Sequence, residues 1–417
     1  MIIINIGDEL LIGQVVNTNA SYMAERLNAF GFTVDSMMIV GDKKEDIREA
    51  IHESFKKTDL LVVTGGLGPT KDDITKDLLC EYFDTTLVLD ETSLSLIEQM
   101  LAERDVPMNE SNRKQAEVPK SATALRNRCG TAPGLWMEKE GKTLIALPGV
   151  PHELKGIMEE ELLPLLKTKF HPNLSIIHKV MQTTGISESA LSELLEPWEL
   201  QLPSFIKLAY LPRPGITRLR LTAIGEDQEL LQSTLQSEMK KMSDIAKEYI
   251  WSYEDNQLEE VVGKLLKKLK RNLTIAESCT GGYLAHLITA VPGSSAYFRG
   301  SIVSYSNEVK RQILNVREVN LKKQGAVSEP VVSDMAINTM DLFDADYSVA
   351  ISGIAGPDGG TKEKPVGTVW IAVATTTRLT TKEFHFGSTV NRQNIIQRAA
   401  VAALNMLRIE LMKDLGK

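Results

Sequence analysis

The stretch that decides the fold is DLLVVTGGLGPTKDDITK, residues 59–76. It opens with an apolar run typical of a buried strand. The run leads into three glycines, Gly65, Gly66 and Gly68, and the residues after them predict a helix over 71–82. Glycine permits positive φ and lets backbone N–H groups come close to a ligand. A strand, a glycine-rich turn and a helix start therefore predict an α/β unit with an anion site at the turn.

Strand and helix patterns alternate on both sides of this stretch. Such alternation predicts a parallel sheet covered by helices. The predicted strands are 2–6, 33–40 and 141–149, and the predicted helices are 17–30, 45–56 and 152–167.

The pattern of predicted strands and helices changes after about residue 171. Two alternating strands flank the turn Arg213-Pro214-Gly215, and helices are predicted before and after them, so this segment is predicted to be a small α+β unit. Strands and helices alternate again from residue 253 to a closing helix at 391–413. The fold class is therefore α/β and multidomain: two α/β domains with mainly parallel or mixed sheets, joined by the small unit. The predicted domains are 1–170, 171–252 and 253–417.

Composition and charge exclude several classes of function and location. The chain has 417 residues and a formal net charge of -8, which argues against a nucleic-acid binder because such proteins need cationic surface. Its three cysteines lie far apart and suggest neither a disulfide framework nor a metal site, which favours a reducing cytoplasm. The N-terminus has no signal-peptide pattern, and no run of about 18 apolar residues predicts a membrane span.

Two interpretations of the helix start after the first glycine loop stay open. Asp72 and Asp73 stand where carboxylates cap a helix. They also stand where carboxylates could hold a hard cation beside a diphosphate.

A second constellation surrounds GSSAYFRGSIVSYSNEVK, residues 293–310. It holds serines but no histidine, and Cys279 and His286 lie two turns apart on one predicted helix and do not form a convincing pair. A desolvated lysine can activate a serine instead, so Ser294 or Ser295 with Lys310 could form a nucleophilic pair, with Tyr305 as a proton relay. Spacing alone favours a turn or helix cap at the serines and a solvated lysine. The run 301–306 is predicted to be a strand.

Four motifs give this region a specific resemblance. AESCTGG, GSSAYFRGSIVSYSNEVK, GAVSEPVV and GIAGPDGGTKEKPVGTVW resemble the C-terminal nicotinamide mononucleotide amidohydrolase domain of the CinA (competence-damage inducible) family, over about 257–411. The small middle unit resembles the KH-like domain of that family. The resemblance implies Ser295 as nucleophile, Lys310 as base and Tyr305 as the assisting residue. The implied substrate-binding residues are Ser278, Thr280, Gly281, Gly282, Gly356, Gly359, Gly360, Arg392 and Arg398.

The N-terminal motifs TGGLGPTKDDIT, GDELLIG and LPGVPHEL resemble the molybdopterin-binding fold of the same family. In fused members this domain resembles a metal-dependent ADP-ribose pyrophosphatase. The resemblance implies a divalent metal such as Mg²⁺ near Asp72 and Asp73. The implied phosphate site comprises Gly65, Gly66, Gly68, Pro69, Thr70, Asp42 and Thr75.

The sequence thus predicts a cytoplasmic hydrolase of pyridine-nucleotide salvage. Its C-terminal domain is expected to convert nicotinamide mononucleotide to nicotinic acid mononucleotide and ammonia without a cofactor. Its expected partners are small nucleotides, with no nucleic acid and no membrane, and it is expected to be a homodimer. The alternatives are a molybdopterin-binding protein and a competence-related regulator in which one or both sites are inactive.

Overall fold

The structure is a computed structural model that describes residues 1–70, 73–170 and 174–416. The chain divides into two compact units, one of residues 1–177 with 223–232 and one of residues 178–222 with 233–417. Each unit has its own sheet of strands covered by helices, and each is taken by itself below.

The first unit is built on a sheet whose strands run mainly parallel. Its strands are β1 (Ile2–Ile6), β2 (Ser36–Val40), β3 (Leu60–Thr64), β4 (Leu87–Leu89), β5 (Glu117–Pro119), β6 (Thr123–Leu125), β7 (Gly134–Lys139) and β8 (Lys142–Leu147). The sheet order is β2-β1-β3-β8-β7-β6. Strands β2, β1, β3 and β8 run parallel to one another, β7 runs antiparallel to β8, and β6 runs antiparallel to β7. Strands β4 and β5 form a separate antiparallel pair.

Helices cover both faces of this sheet. They are α1 (Asp8–Leu11), α2 (Thr18–Ala29), α3 (Lys44–Phe55), α4 (Thr75–Phe83), α5 (Glu91–Glu103), α6 (Glu110–Gln115), α7 (Pro151–Ile157) and α8 (Leu163–Phe170), with a π-helical stretch at Met158–Leu162. Ile3 and Val62 pack into one apolar cluster, whereas their neighbours Ile4 and Val63 pack into another. Successive strand side chains point to opposite faces, so this sheet is buried on both sides.

The middle segment is a small α+β arrangement, as predicted. It comprises β9 (Ser175–Thr184), α9 (Glu188–Glu199), β10 (Ile206–Arg213), β11 (Ile216–Gly225), α10 (Gln228–Ala246) and β12 (Ile250–Ser252). The sheet order is β10-β11-β9-β12. Along β11 the buried residues alternate with partly exposed arginines, which is the pattern of a sheet with one covered face.

The C-terminal segment contains a five-stranded mixed sheet. Its helices are α11 (Leu258–Leu269), α12 (Tyr283–Ala290), α13 (Asn307–Gln312), α14 (Glu318–Gln324), α15 (Glu329–Leu342) and α16 (Arg392–Asp414), and its strands are β13 (Leu273–Glu277), β14 (Phe298–Val303), β15 (Tyr347–Gly353), β16 (Thr368–Thr375) and β17 (Leu379–His385). The order is β14-β13-β15-β16-β17, with β14, β13 and β15 parallel and the last two antiparallel. The predicted fold class is confirmed.

Two predicted elements differ from the structure. The predicted strand at 301–306 ends at Val303, so Tyr305 lies in the turn beyond β14 rather than on the strand with Ser301. The helix predicted over 71–82 begins at Thr75 within the described residues, because the loop closes on itself first, through a hydrogen bond from the Thr75 N–H to the Gly66 carbonyl.

Candidate functional site

Three neighbouring parallel strands bring their carboxyl ends to one edge of the C-terminal sheet. Strand β13 lies between β14 and β15, and the residue after β13, Ser278, donates its backbone N–H to Ile351 of β15. Ser304, the residue after β14, donates its N–H to the Glu277 carbonyl at the end of β13. Loops that follow parallel strands at one edge are the usual place for a ligand site.

Lys310 of α13 reaches into this edge. Its side chain is 1% exposed, and its Nζ lies 2.9 Å from Ser278 Oγ and 2.6 Å from the Ser304 carbonyl oxygen. Burial lowers the pKa of Lys310 from 10.5 to about 8, although the nearby Cys279 thiol acts in the opposite direction. Spacing alone favours a solvated cation at this position, and the structure shows a buried lysine in contact with a serine hydroxyl instead.

Ser295 does not lie at this edge. It is exposed in a 3₁₀ turn, Ser294–Ala296, that precedes the amino end of β14. The ammonium of Lys310 lies beyond the opposite end of that strand, and a strand rises roughly 3.3 Å per residue, which places the two sites about 20 Å apart. The hydroxyl that contacts Lys310 is therefore that of Ser278 rather than that of Ser295. Strand β14 separates Ser295 from Lys310, whereas its parallel pairing with β13 brings the carboxyl ends of the two strands together.

The loop that carries Ser278 is held by the carboxylate of Glu277. This side chain is fully buried and accepts hydrogen bonds from the backbone N–H groups of Gly282 (3.1 Å), Leu284 (3.0 Å) and Ala285 (2.9 Å). Gly282 sits at φ +98°, in the left-handed region that favours glycine. The carboxylate at the start of α12 thus fixes the turn between Ser278 and the helix.

Other groups in this loop have distinct environments. Thr280 is buried, and its hydroxyl oxygen has no hydrogen-bond partner within the described part of the chain. Gly281 adopts φ +60°, with open space where a Cβ would stand. Burial raises the pKa of the Cys279 thiol to about 12, which leaves it protonated and unreactive at neutral pH.

The glycine-rich loop after β15 forms a second wall of the site. Arg392, the first residue of α16, donates to the Gly356 carbonyl at 2.6 Å and to the Tyr305 hydroxyl at 2.9 Å. A Cβ on Gly356 would lie 2.6 Å from a methyl of Val366, and one on Gly360 would lie 2.8 Å from the Val366 nitrogen. These glycines are required because the loop folds tightly on itself.

Three further predicted residues also have defined positions in this segment. Gly359 adopts φ +89° in the same loop. Tyr305 is 62% exposed and contacts Arg392 rather than a proton-transfer pair, although its backbone carbonyl lies 3.5 Å from Lys310 Nζ. Arg398 points elsewhere, with a bond of 3.2 Å to the Phe386 carbonyl. Arg392 therefore stands at the site, and the structure does not bring Arg398 to it.

The N-terminal glycine loop, residues 65–70, follows β3 at the carboxyl edge of the first sheet. A Cβ on Gly65 would lie 2.4 Å from the Ile6 carbonyl oxygen, and one on Gly66 would lie 2.1 Å from Thr75 Oγ1. Thr75 is fully buried, and its hydroxyl donates to the Gly65 carbonyl at 3.0 Å. Thr75 therefore shapes the loop, while Pro69 and Thr70 form its exposed tip.

The carboxylates near this loop divide into two groups. Asp73 accepts from the Thr70 N–H at 2.8 Å and from the Thr70 hydroxyl at 2.5 Å. These bonds hold the loop before α4 and do not cap the helix, whose N-cap residue Ile74 makes no side-chain cap bond. Asp42 accepts from the Asp8 N–H at 2.9 Å, and Asp8 accepts from the Asp42 N–H at 3.3 Å. Asp72 lies outside the described residues. Within the described ranges, no group of three or more His, Cys, Asp and Glu side chains could hold a metal ion, and the metal at Asp72 and Asp73 stays a prediction.

Sequence reasoning missed Glu277 and Ser304 as parts of the C-terminal site. The first signal available was the position of Glu277 and Ser278 at the end of an apolar strand and before two glycines. The N–H and the hydroxyl of Ser304 contact the Glu277 carbonyl across 27 residues of chain, and no short motif encodes that contact.

These features define a class: a multidomain α/β protein with a glycine-rich loop at each of two sheet edges and a small α+β domain between them. Family models match it in three parts: a probable molybdopterin binding domain at 2–168, the damage-inducible protein CinA KH domain at 178–252 and the CinA C-terminal domain at 255–411. The chain belongs to the CinA family of competence-damage inducible proteins.

Relatives are similar along almost the whole length. A CinA-like protein of Cytophaga hutchinsonii is 43% identical over 98% of this chain and 97% of its own, and one of Flavobacterium psychrophilum is 42% identical over 100% and 99%. The crystal structure of the competence/damage inducible protein CihA from Agrobacterium tumefaciens is 35% identical, covers 39% of this chain and 99% of its own, and has a TM-score of 0.36. Within the described residues, no helix has both the length and the apolar character to cross a bilayer.

Proposed function

We propose that the C-terminal domain is a serine amidohydrolase that acts on nicotinamide mononucleotide, with Ser278 as nucleophile and Lys310 as base. The observation that carries this proposal is the 2.9 Å contact between Lys310 Nζ and Ser278 Oγ in a buried setting. A lysine that loses its proton near neutral pH is the base such a serine needs in the absence of histidine. The substrate class comes from the family resemblance of the four motifs.

The reaction has two halves. Neutral Lys310 takes the Ser278 proton while the oxygen attacks the carboxamide carbon, and Lys310 returns that proton to the departing nitrogen, so that ammonia leaves and an acyl-serine remains. Water, activated by the same lysine, attacks the acyl carbon and releases nicotinic acid mononucleotide and free Ser278.

Backbone donors for the oxyanion follow the nucleophile directly. Within the described residues the N–H groups of Cys279 and Thr280 have no backbone acceptor, although the Cys279 N–H also contacts its own sulfur atom. A well-aimed donor of this kind stabilises the transition state by about 3 kcal/mol. Glu277 supports the proposal by holding the turn that presents these groups.

A pair of serine variants tests this assignment in the full-length protein. Ser278→Ala should reduce ammonia release from nicotinamide mononucleotide by about a thousandfold or more, whereas the matched Ser295→Ala variant should keep nearly wild-type activity. Loss of activity in Ser295→Ala with activity retained in Ser278→Ala would reverse the assignment.

We also propose that the N-terminal domain binds a nucleoside diphosphate of the ADP-ribose type at residues 65–70. Within the described residues the N–H groups of Gly66, Leu67 and Gly68 have no acceptor, which suits a phosphate. Titration with ADP-ribose tests the diphosphate site, and its repetition with and without Mg²⁺ tests the predicted metal. Tighter binding of a pterin would favour the alternative function.

A further inference from the structure

The glycine-rich wall of the C-terminal site, residues 356–364, is attached to the rest of the domain at both ends. At its start, Arg392 holds the Gly356 carbonyl at 2.6 Å. At its end, Lys364 donates to the carbonyl oxygens of Gln324 at 2.5 Å and Val327 at 2.7 Å. We propose that Lys364 is a positioning residue that closes this wall over the substrate, an inference that rests on the proposed amidohydrolase function.

The local fold aims the Lys364 side chain at these carbonyls. The Thr361 N–H donates to the Lys364 carbonyl at 2.9 Å, and the Thr361 hydroxyl accepts from the Lys364 N–H at 3.0 Å. This double contact forms a tight turn at the end of the wall. The ammonium therefore projects from a fixed backbone rather than from a free loop.

The acceptors of Lys364 are themselves fixed. Gln324 is the last residue of α14, where carbonyl groups lack helical partners and carry partial negative charge. The segment beyond it is tied to β15 by the Ser352 hydroxyl, which donates to the Ala326 carbonyl at 2.7 Å. Lys364 thus joins the wall to a segment that is anchored on the same strand from which the wall departs.

The consequence for function is specific. The ammonium of Lys364 contacts the Gln324 and Val327 carbonyls and not the Ser278–Lys310 pair, so its loss should leave the chemistry of that pair intact. Its loss should instead free the far end of a wall that is still held at Gly356. If the wall becomes ordered only when substrate binds, that ordering costs binding free energy. Binding is then weaker, while the reacting groups are unchanged.

Lys362 provides a matched control. It lies two residues away, is exposed, and has no hydrogen-bond or ion-pair partner in the described part of the chain. Lys362→Met and Lys364→Met each remove one positive charge from the same loop. Any difference between them therefore reports the two carbonyl contacts and not the charge.

The experiment measures kcat and KM for nicotinamide mononucleotide in both variants and in Lys364→Arg. Lys364→Met should raise KM on the order of tenfold with kcat within about threefold of wild type and with an unchanged pH profile. Lys364→Arg should have a KM close to that of wild type, and Lys362→Met should resemble wild type. Hydrogen exchange should be faster across 356–364 in Lys364→Met alone. Equal KM values in the two methionine variants, or a fall in kcat at constant KM, would overturn the proposal.

A second readout separates this inference from the proposed function. If wild-type protein releases no ammonia from nicotinamide mononucleotide, the proposed reaction fails. Calorimetric titration of that nucleotide into the Ser278→Ala variant, with and without Lys364→Met, then still decides the role of Lys364. Identical dissociation constants with unchanged exchange across 356–364 would overturn it, and weaker binding with faster exchange would support it.

Discussion

Lys310 Nζ lies between the Ser278 hydroxyl, at 2.9 Å, and the Ser304 carbonyl oxygen, at 2.6 Å. The two serines follow neighbouring parallel strands, and the lysine comes from a helix that begins just after the second strand. One buried side chain thus connects both strand ends. The arrangement places an amine of lowered pKa against a hydroxyl, and under the proposed reaction its protonation should control the activity of the domain.

The activity should depend on pH through Lys310. Because burial lowers the pKa of this lysine to about 8, its neutral form should increase as the pH rises through that value. We expect kcat/KM for nicotinamide mononucleotide to fall about tenfold per pH unit below pH 8 and to level off above it. A pH profile of the full-length protein measures this. A profile that is flat between pH 6 and 9 would contradict the assignment of Lys310 as base.

The same lysine predicts how stability changes with pH. Its pKa is 10.5 when unfolded and about 8 when folded, so the unfolded state binds more protons between these values. The free energy of unfolding should therefore gain up to about 3 kcal/mol from this group as the pH rises from 8 to 10.5. Lys310→Met should lack that increase, as chemical denaturation at a series of pH values would show. Parallel curves for the two proteins would exclude a depressed pKa.

Glu277 should be required for stability. Its buried carboxylate accepts three backbone N–H bonds at the start of α12, and Glu277→Gln would turn an amide group towards those donors. We expect a loss of about 3 kcal/mol in the free energy of unfolding, since bonds to a buried charged acceptor are worth roughly 1.5–3 kcal/mol each and glutamine keeps part of them. Denaturant titration measures this. Glu363→Gln, at an exposed position, is the control and should change stability by less than about 0.5 kcal/mol.

The sequence predicted the fold well because its signals were local. Apolar strands that end in glycine, such as the run before Gly65, predict parallel strands with loops at one edge, and the structure has them. The position of Lys310 in a family motif predicted a base, and the structure shows this lysine buried against a hydroxyl. The element bounds were less accurate near the sites, where hydrogen bonds such as that from the Thr75 N–H to the Gly66 carbonyl compete with helix formation.

The hydroxyl partner of Lys310 could not be read from spacing. Ser295 lies 15 residues before Lys310 and Ser278 lies 32 residues before it, so sequence distance favours Ser295, whereas the structure places Ser278 against the lysine. Strand direction decides the matter, because β14 carries the chain from one edge of the sheet to the other between Ser295 and Lys310. Only the pairing of β13 with β14 shows that Ser278 and Ser304 are neighbours.

Substitutions of Arg392 and Arg398 should differ in how strongly they weaken binding of a phosphate-bearing substrate. Arg392 lies at the site between Gly356 and Tyr305, while Arg398 binds the Phe386 carbonyl. Arg392→Met should raise KM for nicotinamide mononucleotide by roughly tenfold to a hundredfold, the usual range for a charge-assisted phosphate contact. It should change KM for nicotinamide riboside, which lacks the phosphate, much less. Arg398→Met should not distinguish the two substrates, and an equal loss for both substrates in Arg392→Met would assign Arg392 to loop support alone.

Gly66 and Gly13 form a matched pair that isolates close approach in the N-terminal loop. Both adopt positive φ, +67° and +75°, so alanine carries a similar backbone cost at each. A Cβ on Gly66 would lie 2.1 Å from Thr75 Oγ1, whereas a Cβ on Gly13 would meet nothing within 4 Å. Gly66→Ala should therefore lose about 1–3 kcal/mol more stability than Gly13→Ala, because the buried threonine must shift and its bond to Gly65 must weaken. Thermal unfolding measures the loss of stability in each variant, and ADP-ribose titration measures the effect of each on binding at the loop. Equal losses of stability in the two variants would show that Thr75 does not fix the loop.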